Sequence, residues 1–410
     1  MNRNSLLGLF FFALLATGVL TRTPAITFMS MAVGFSLLAG QLWARSAVEH
    51  MDYEHFTSLT RCMTGDEMHL ETKLENPTFL PLPWVEITDL VPQKGFHISG
   101  ADGNLNDHLT IQTGMSWFQR VRRRYTVQVT ARGFYQLGPV VIRIWDPLGL
   151  TFAERRLKAG NPVLVYPICV PMEKIGITAD DPFGDPEHQR WLFRDPFSVA
   201  GARPYQPGDP LRHIHWPATA TTGEMMSRQM EGTRSPDLLI FVNLRTMETA
   251  WHGTVTEFLE LSLCTAASVA RYATRRGYRV GLFSNGNLLK EGDDYSAPPL
   301  QVPPSSDPRQ LRTILSALAR TAPHGSRPLE DVLSTRVGGE MFGASIVVVS
   351  AIVLEGLVTR LRQLAREGYS VTLLYTGDPP GPSIPDVRCF EIGGKRRWED
   401  IAEQWGHAAN

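Results

Sequence analysis

Residues 237–244, DLLIFVNL, contain five consecutive apolar residues, Leu238 to Val242, which are followed by the polar Asn243. A continuous apolar run of this length is typical of a strand that is covered on both faces. Residues 258–270 follow it and are apolar nearly all round, which predicts a well-covered helix. We expect that helix to end at Arg275-Arg276-Gly277, because a basic last turn followed by glycine is a common helix C-terminus.

Strands and helices alternate from there to the end of the chain. The further predicted strands are RVGLFS (279–284), ASIVVVSAI (344–352) and YSVTLLYTG (369–377). The further predicted helices are DPRQLRTILSALAR (307–320), LEGLVTRLRQLAREG (354–368) and WEDIAEQWG (398–406). Such alternation predicts a mostly parallel sheet with helices on both faces. Residues 236–410 are therefore expected to form an α/β domain.

Residues 49–165 have a different pattern, with a period of two. The run MHLETKLE places alternate residues from Met68 to Leu74 on one face, and WVEITDLV, RYTVQVTARG and VVIRIW show the same alternation. Turn signals such as Asn76-Pro77 and Gly138-Pro139 separate these runs. The pattern predicts an all-β, sandwich-like domain of short antiparallel strands. The basic run RVRRR (120–124) is interpreted as a solvated strand face, with contact to lipid headgroups as the alternative.

Residues 1–48 contain two long uncharged runs. Eighteen residues separate Arg3 from Arg22, and 22 separate Arg22 from Arg45. About 20 apolar residues suffice to cross ~30 Å of hydrocarbon as a helix. We therefore expect a hairpin of two transmembrane helices in the cell membrane, with Trp43 at an interface and the soluble body in the cytoplasm. The alternative is a cleaved signal peptide at the first run.

Composition excludes several classes of protein. The chain has 410 residues and a formal net charge of -1, so it lacks the electrostatic footprint of a nucleic-acid binder. Its four cysteines are far apart and form no CxxC pair, which argues against a zinc knuckle or a disulfide framework. The sequence contains no phosphate loop, no GxGxxG run after a strand, no GxSxG and no HExxH. No cofactor is expected.

Residues 166–235 show no period and are predicted to be an irregular linker that carries one dense polar stretch. That stretch, GARPYQPGDPLRHIHWPATATTGE at 201–224, is stiffened by prolines, and its arginines and aromatic residues are the types that anchor interfaces. The candidate partner-binding residues are Arg203, Tyr205, Gly208, Asp209, Arg212, His215 and Trp216. The stretch could instead fasten itself to its own domain. A metal site at His213 and His215 with Asp209 is the weaker alternative, because no third ligand for the two histidines lies at a spacing typical of metal sites.

Two segments resemble the bacterial family known as domain of unknown function 58. They are FRDPFSVAGARPYQPGDPLRHIHWPATA (193–220) and RGFYQLGPVVIRIWDPLGL (132–150). The resemblance implies a membrane-anchored protein whose α/β unit is like a von Willebrand factor A domain. It also implies an association with MoxR-type AAA ATPases, which are thought to act as chaperones. No enzymatic activity is established for that family, so the resemblance bears on fold and location more than on any reaction.

Von Willebrand factor A domains often bind a divalent ion through an Asp-x-Ser-x-Ser motif after the first strand and a further Asp after a later strand. The matching positions here are Asn243, Arg245 and Met247, with Ala351 at the later position. Mg²⁺ requires hard oxygen ligands with at least one carboxylate, and a guanidinium opposes a cation. We therefore expect this chain to have lost the metal site.

Three functional hypotheses follow. The first is a membrane-anchored, non-catalytic interaction or scaffold protein that works with a MoxR-type AAA ATPase in the assembly or maturation of other proteins, with the lipid bilayer as its other partner. The second is an envelope-associated hydrolase that uses His215 as a base and Asp209 to orient it. The third is a structural component of the envelope.

Overall fold

The computed structural model describes residues 3–92, 95–99, 108–158, 160, 162–177, 182–183, 199–206, 211, 214–230, 237–248, 253–289, 298–325, 327–337 and 344–406. The chain divides into two compact units, and the boundary lies between Val165 and Tyr166.

Two apolar helices open the first unit: α1 (Arg3–Leu20) and α2 (Pro24–His50). Pro24 lies in the first turn of α2, where its missing N–H and fixed φ cost little. The helices approach closely near their connection, since a Cβ placed on Gly18 would lie 2.9 Å from the backbone nitrogen of Thr27. Among the described residues, α2 is the one helix long and apolar enough to cross a membrane.

The end of α2 is part of the hydrophobic core of the first unit. Ala47, Val48 and the following Met51 are buried in the same cluster as the strands. The Arg155 guanidinium donates to the carbonyl oxygen of Glu49 at 2.9 Å. This last stretch of α2 is thus held against the β structure by both apolar packing and a hydrogen bond.

The strands of this unit are antiparallel in every pair described and form three sheets. One sheet has the order β1 (Asp52–Thr57), β3 (Glu67–Glu75), β7 (Arg120–Val129), β5 (Phe96–Ser99). A second has the order β10 (Phe152–Leu157), β9 (Val140–Trp145), β4 (Leu82–Leu90), β6 (His108–Met115). The third comprises β2 (Arg61–Met63), β11 (Pro162–Tyr166) and β8 (Gly133–Gln136). Alternate residues of β3, from Met68 to Leu74, are buried as their period of two predicts.

The segment predicted to be irregular contains regular structure in its described parts. It forms a 3-10 helix (Met172–Ile175), β12 (Val199–Pro204), α3 (Trp216–Thr222) and β13 (Met226–Met230). β12 and β13 pair antiparallel in a sheet of their own, with an irregularity between Val199 and Gly201. This pair does not extend a larger sheet and its strands are short, so neither strand needs the apolar alternation by which strands are recognised in a sequence.

The second unit is built on a seven-stranded sheet. Its strands are β14 (Asp237–Val242), β15 (Arg279–Leu288), β16 (Pro299–Ser305), β17 (Thr321–Gly325), β18 (Ser345–Ser350), β19 (Ser370–Tyr375) and β20 (Arg388–Glu391). Its helices are α4 (Thr256–Arg275), α5 (Gln310–Ala319), α6 (Leu329–Arg336), α7 (Glu355–Arg366) and α8 (Gly394–Gly406).

The order across this sheet is β16-β15-β14-β18-β19-β20, and β17 also pairs with β15. Each neighbouring pair along the path β15-β14-β18-β19-β20 is parallel. β16 and β17 both run antiparallel to β15. The sheet is therefore mixed and mostly parallel, as predicted. β16 carries Pro299, Pro303 and Pro304, which is typical of an edge strand because proline cannot donate to a ladder.

Helices cover the central strands. Leu239 and Phe241 of β14 share a buried cluster with Leu333 of α6 and Leu361 of α7. α4 also contacts β14 but contributes no residue to that cluster. The predicted helix end is confirmed: α4 ends at Arg275, and Gly277 follows with a φ of 81°, a left-handed conformation that favours glycine.

Candidate functional site

The carboxyl ends of the parallel strands bring three polar side chains together. Asn243 directly follows β14, Ser350 is the last residue of β18, and Asn285 lies in β15. All three side chains are buried. Parallel strands present their carboxyl ends at one edge of a sheet, and the crevice beside the point where strand order reverses is the usual ligand site in such folds. Here the order reverses between β14 and β18.

Hydrogen bonds join these residues into what we call the amide network, Asn243, Asn285 and Ser350. The Asn243 side-chain nitrogen donates to Ser350 Oγ at 3.0 Å, and the Asn285 side-chain nitrogen donates to Asn243 Oδ1 at 2.8 Å. The Asn243 Oδ1 also accepts from the Arg245 backbone N–H at 3.1 Å. The Asn285 Oδ1 accepts from the Leu244 N–H at 2.9 Å.

The network leaves little for a cation to bind. The Asn243 Oδ1 is a carbonyl oxygen of the kind that can bind a cation, but it already accepts two hydrogen bonds. Ser350 Oγ donates to the carbonyl oxygen of Ile352. Arg245 Nη2 donates to the Glu248 carbonyl oxygen at 3.0 Å. Of the residues that the structure describes, no group of three or more His, Cys, Asp or Glu side chains could hold a metal ion.

The other two positions of the degenerate metal pattern contribute no ligand of the kind Mg²⁺ prefers. Met247 is half-buried and Ala351 is buried beside the end of β18. A thioether and a methyl group offer no hard oxygen.

Hydroxyl groups around the amide network are bonded within the unit. The Thr246 Oγ1 accepts from the Val255 N–H at 2.8 Å, just before α4 begins. Ser262 of α4 and Thr376, which follows β19, share a hydroxyl–hydroxyl bond of 2.7 Å. Burial raises the pKa of Tyr375, and the Asp378 carboxylate raises it further. Thr246, Ser262 and Thr376 are thus uncharged, and their hydroxyl groups are hydrogen-bonded within the unit.

The signature stretch lies in the same unit, on the pair β12–β13 and on α3. Arg203 is half-buried near the end of β12, and its Nη1 donates to the Pro204 carbonyl oxygen at 3.3 Å. The backbone N–H of Tyr205 donates to the Met225 carbonyl oxygen at 2.8 Å. The remaining candidates Gly208, Asp209 and Arg212, together with His213, lie outside the described residues.

His215 acts as the N-cap of α3. Its Nδ1 accepts a hydrogen bond from the Ala218 N–H at 3.0 Å, and its backbone N–H donates to Met226 at 2.8 Å. An Nδ1 that accepts carries no proton, so the proton of the neutral ring is on Nε2. A ring in this state has no free lone pair for a general base and no Nδ1–H for an orienting carboxylate. The cap therefore opposes a base role for His215.

Large apolar side chains surround this cap at the surface. Trp216 is 65 % exposed, Leu211 is 68 % exposed and Met225 is 45 % exposed. Ile214, between the first two, is buried and bridges Ser227 of β13. The short helix is thus fixed to the strand pair by Ile214 and His215 while the indole next to them faces solvent.

Asn285 was not among the residues predicted from the sequence. It lies within a strand rather than after one, and its partner Asn243 is 42 positions away. The only local signal is the pair Asn285-Gly286, an unusual polar interruption of an apolar strand.

The comparisons with known proteins bear on this unit. Residues 201–396 match the family described as "Protein of unknown function DUF58". The chain is 25% identical to the uncharacterized protein YeaD of Bacillus subtilis (strain 168), over 58% of this chain and 57% of the relative. The match thus spans less than two thirds of the relative's length.

Similarity to solved structures is slight. BcpA, the major pilin subunit of Bacillus cereus, matches 29% of this chain and 41% of its own at 11% identity and a TM-score of 0.24. Cwp6 from Clostridium difficile matches 79% of this chain and 41% of its own at 7% identity and a TM-score of 0.18. Scores this low carry no argument about fold or function. The family match, by contrast, includes most of β12 and all of α3, β13 and the amide network, and over residues 201–396 the chain is similar to the DUF58 family.

Proposed function

We propose that this protein is a membrane-anchored, non-catalytic interaction or scaffold protein that works with a MoxR-type AAA ATPase in the assembly or maturation of other proteins. The exposed apolar surface beside the N-cap of α3 carries this proposal. Its members are Leu211, Trp216 and Met225. Exposed aromatic anchors on a rigid support are typical of protein interfaces.

The rigidity of this surface supports binding over catalysis. His215 holds the first turn of α3 by accepting from Ala218, so the backbone that carries Trp216 is positioned before any partner arrives. A backbone that is ordered in advance loses less entropy on association. The same hydrogen bond opposes the alternative of a hydrolase that uses His215 and Asp209.

The fold that we propose for the second unit is von Willebrand factor A-like. Numbered along the chain, with β17 set aside, the sheet order is third, second, first, fourth, fifth, sixth, and the third strand is the antiparallel edge strand. In such a domain the metal-binding edge lies where the order reverses, and here the amide network fills it. The internally bonded amide network supports recognition without a metal ion.

The anchor that we propose is a hairpin in which both α1 and α2 cross the cell membrane, followed by a β-sandwich domain and a cytoplasmic body. The length and apolar surface of α2 support it. The two sheets β1-β3-β7-β5 and β10-β9-β4-β6 share one core cluster, which supports the sandwich.

The test is co-purification from membranes. Trp216→Ala should abolish recovery of a MoxR-type ATPase with the tagged full-length protein, as identified by mass spectrometry. Leu289→Ala is the matched control, because Leu289 is also an exposed apolar side chain of the second unit, at 42 % exposure. Recovery of the ATPase with Trp216→Ala at the control level would refute the proposed surface, provided that both variants melt like the unaltered chain.

A further inference from the structure

An apolar surface lies at one end of the two larger sheets of the first unit. We call it the loop-end surface, and its members are Phe79, Trp84, Trp117, Phe118, Leu148 and Leu150. Each of these large hydrophobic side chains is exposed, with Phe79 at 71 % and Phe118 at 69 %. Single exposed apolar residues need no explanation, but a contiguous group of them marks a binding surface.

Two connections that carry half of this surface are bonded to each other. The side-chain nitrogen of Asn76 donates to the Leu80 carbonyl oxygen at 2.8 Å and to the Ser116 carbonyl oxygen at 2.9 Å. The Phe118 N–H donates to the Thr78 carbonyl oxygen at 3.1 Å. These bonds hold residues 76–81 and 116–119 side by side.

Phe118 has a backbone conformation that is costly for its residue type. Its φ is 52°, in the left-handed region where glycine and asparagine are favoured. A bulky aromatic residue at such a position, with its ring exposed, adds nothing to the core. Strained positions of this kind concentrate where a side chain has a role outside the fold.

Strand pairing places the remaining members at the same end. Leu82 pairs with Met115, the last residue before the second of these connections, and Trp84 pairs with Trp145. The Trp84 and Trp145 ring centroids are 6.4 Å apart. Trp145 in turn leads into the turn at 146–151, which exposes Leu148 and Leu150.

The 146–151 turn lies directly against α2. A Cβ placed on Gly40 would lie 2.8 Å from Asp146 Oδ2, so the backbone of α2 touches the turn at this residue. Asp146 itself is buried, and its Oδ1 accepts from the Thr151 N–H at 2.6 Å. The carboxylate therefore closes the turn while Leu148 points to solvent.

This contact fixes the level of the turn along α2. The exposed apolar side chains of α2 are Ile26, Phe28, Met29, Met31, Phe35, Leu38 and Leu42. At ~1.5 Å per residue they cover about 24 Å of helix, close to the ~30 Å of a bilayer's hydrocarbon core. With the same rise per residue, Gly40 lies about 3 Å deeper along α2 than Leu42 and about 7.5 Å deeper than Arg45, where deeper means toward the start of the helix.

We propose that the loop-end surface inserts into the headgroup and upper acyl region of the bilayer that α2 enters. Its occupant is lipid, because the 146–151 turn of this surface lies against α2 at Gly40, where the exposed apolar side chains of α2 end. Tryptophan is enriched at this depth, and phenylalanine and leucine are common with it on the apolar faces of segments that lie in the membrane interface. The first unit would then touch the membrane through its loops as well as through its helix. The inference rests on the proposed membrane anchor.

Site-specific fluorescence quenching tests the inference on the full-length chain. Phe118→Cys and Leu148→Cys would each be made with Cys389→Ser, since the other cysteines are buried. Each variant is labelled with an environment-sensitive fluorophore and placed in vesicles of phosphatidylcholine and phosphatidylglycerol whose acyl chains carry bromine near the headgroup or near the bilayer centre. Phe35→Cys in α2 is the anchor reference. Phe56→Cys on the face of β1 is the matched exposed aromatic control.

We expect blue-shifted emission and loss of fluorescence at Phe118 and Leu148 with the shallow bromine, loss at Phe35 with the deep bromine, and neither at Phe56. Quenching at Phe35 with none at Phe118 and Leu148 would overturn the inference and keep the anchor. A lack of quenching at Phe35 would overturn the anchor and the inference together. Equal quenching at Phe56 and Phe118 would show non-specific adsorption and would also overturn the inference.

Discussion

The Asn243 side-chain amide donates a 3.0 Å hydrogen bond to the Ser350 hydroxyl across the two strands at which the order of the parallel sheet reverses. In folds of this kind that position is the mouth of a ligand crevice. Here it is closed by a bond between two buried, neutral side chains. The edge that would serve chemistry in a related fold therefore contributes to stability in this one.

Asn243→Ala should lower the free energy of unfolding by about 1–3 kcal/mol, because the variant removes the acceptor of the Arg245 N–H and one of the two acceptors of the Asn285 side-chain nitrogen. Urea denaturation of the detergent-solubilised chain measures the loss. Thr313→Ala on the exposed side of α5 is the control, and we expect its effect to be within about 0.5 kcal/mol. A stability equal to that of the unaltered chain would show that the amide network is dispensable.

Titration of the full-length chain with Mg²⁺ or Mn²⁺ should give no stoichiometric heat of binding. The reason is that Asn243 Oδ1 already accepts two hydrogen bonds, while Met247 and Ala351 supply no oxygen from their side chains. Isothermal calorimetry in detergent is the measurement, with a chelator-treated sample as the control. Saturable micromolar binding would contradict this prediction and would direct attention to Asp378, the carboxylate that follows β19.

His215→Ala should lower the melting temperature, whereas His215→Asn should largely preserve it. The Nδ1 of His215 caps α3, and loss of a side-chain cap costs about 0.5–2 kcal/mol. Asparagine is an efficient cap and restores the acceptor for the Ala218 N–H. Thermal unfolding followed by circular dichroism compares the two variants. Equal destabilisation by both would mean that the ring itself, and not its acceptor nitrogen, is needed.

A chain that begins at Trp43 should keep the fold of the first unit, and a chain that begins at Asp52 should not. The shorter chain lacks Val48 and Met51, which are buried in the core, and loss of one such side chain costs about 2–5 kcal/mol. Melting temperature and resistance to limited proteolysis distinguish the two chains. Similar melting of both would show that the end of α2 is only a tether.

Thiol labelling should separate the cysteines of the native protein. Burial raises the pKa of Cys62 and Cys169 from 9.0 to about 11, so at pH 8 about one thiol in a thousand is the reactive thiolate. N-ethylmaleimide should modify the half-buried Cys389 first and all four cysteines in urea, as read by mass spectrometry. Rapid native labelling of Cys62 would contradict this.

The same shifts have a consequence for stability. A thiol whose pKa is higher in the folded than in the unfolded state adds to the free energy of unfolding, and this addition is complete at any pH below the unfolded pKa. The addition is lost as the pH rises from about 9 toward 11. The midpoint of urea unfolding should therefore fall over that interval.

Much of the fold follows from periodicity. Alternation from Met68 to Leu74 predicted β3, and the apolar run at 237–244 predicted β14, because burial on one face or on both leaves a pattern in sequence. The pair β12–β13 and the edge strand β16 leave no such pattern. β16 has three prolines among its seven residues, so its place in the sheet depends on pairing with β15 and not on its own propensity.

The candidate site was predictable only in part. The loss of a carboxylate at Asn243 can be seen in the sequence, but the bond from Asn285 cannot, since it depends on two strands lying side by side. Likewise, the sequence suggested His215 as a partner-binding residue, a metal ligand or a general base. The sequence did not predict α3, which begins at Trp216. The function of His215 as its N-cap could therefore not be predicted either.

The prolines of β16 limit how another chain can join this molecule. Pro299, Pro303 and Pro304 carry no amide donor, so a foreign strand aligned with β16 would meet an interrupted ladder. Pairing of a foreign strand with β16, which would be the first step of strand-mediated aggregation, is disfavoured on that side. A partner that approaches this edge must be selected by side-chain shape and charge, which differ between proteins, and not by main-chain pairing, which any extended peptide can offer.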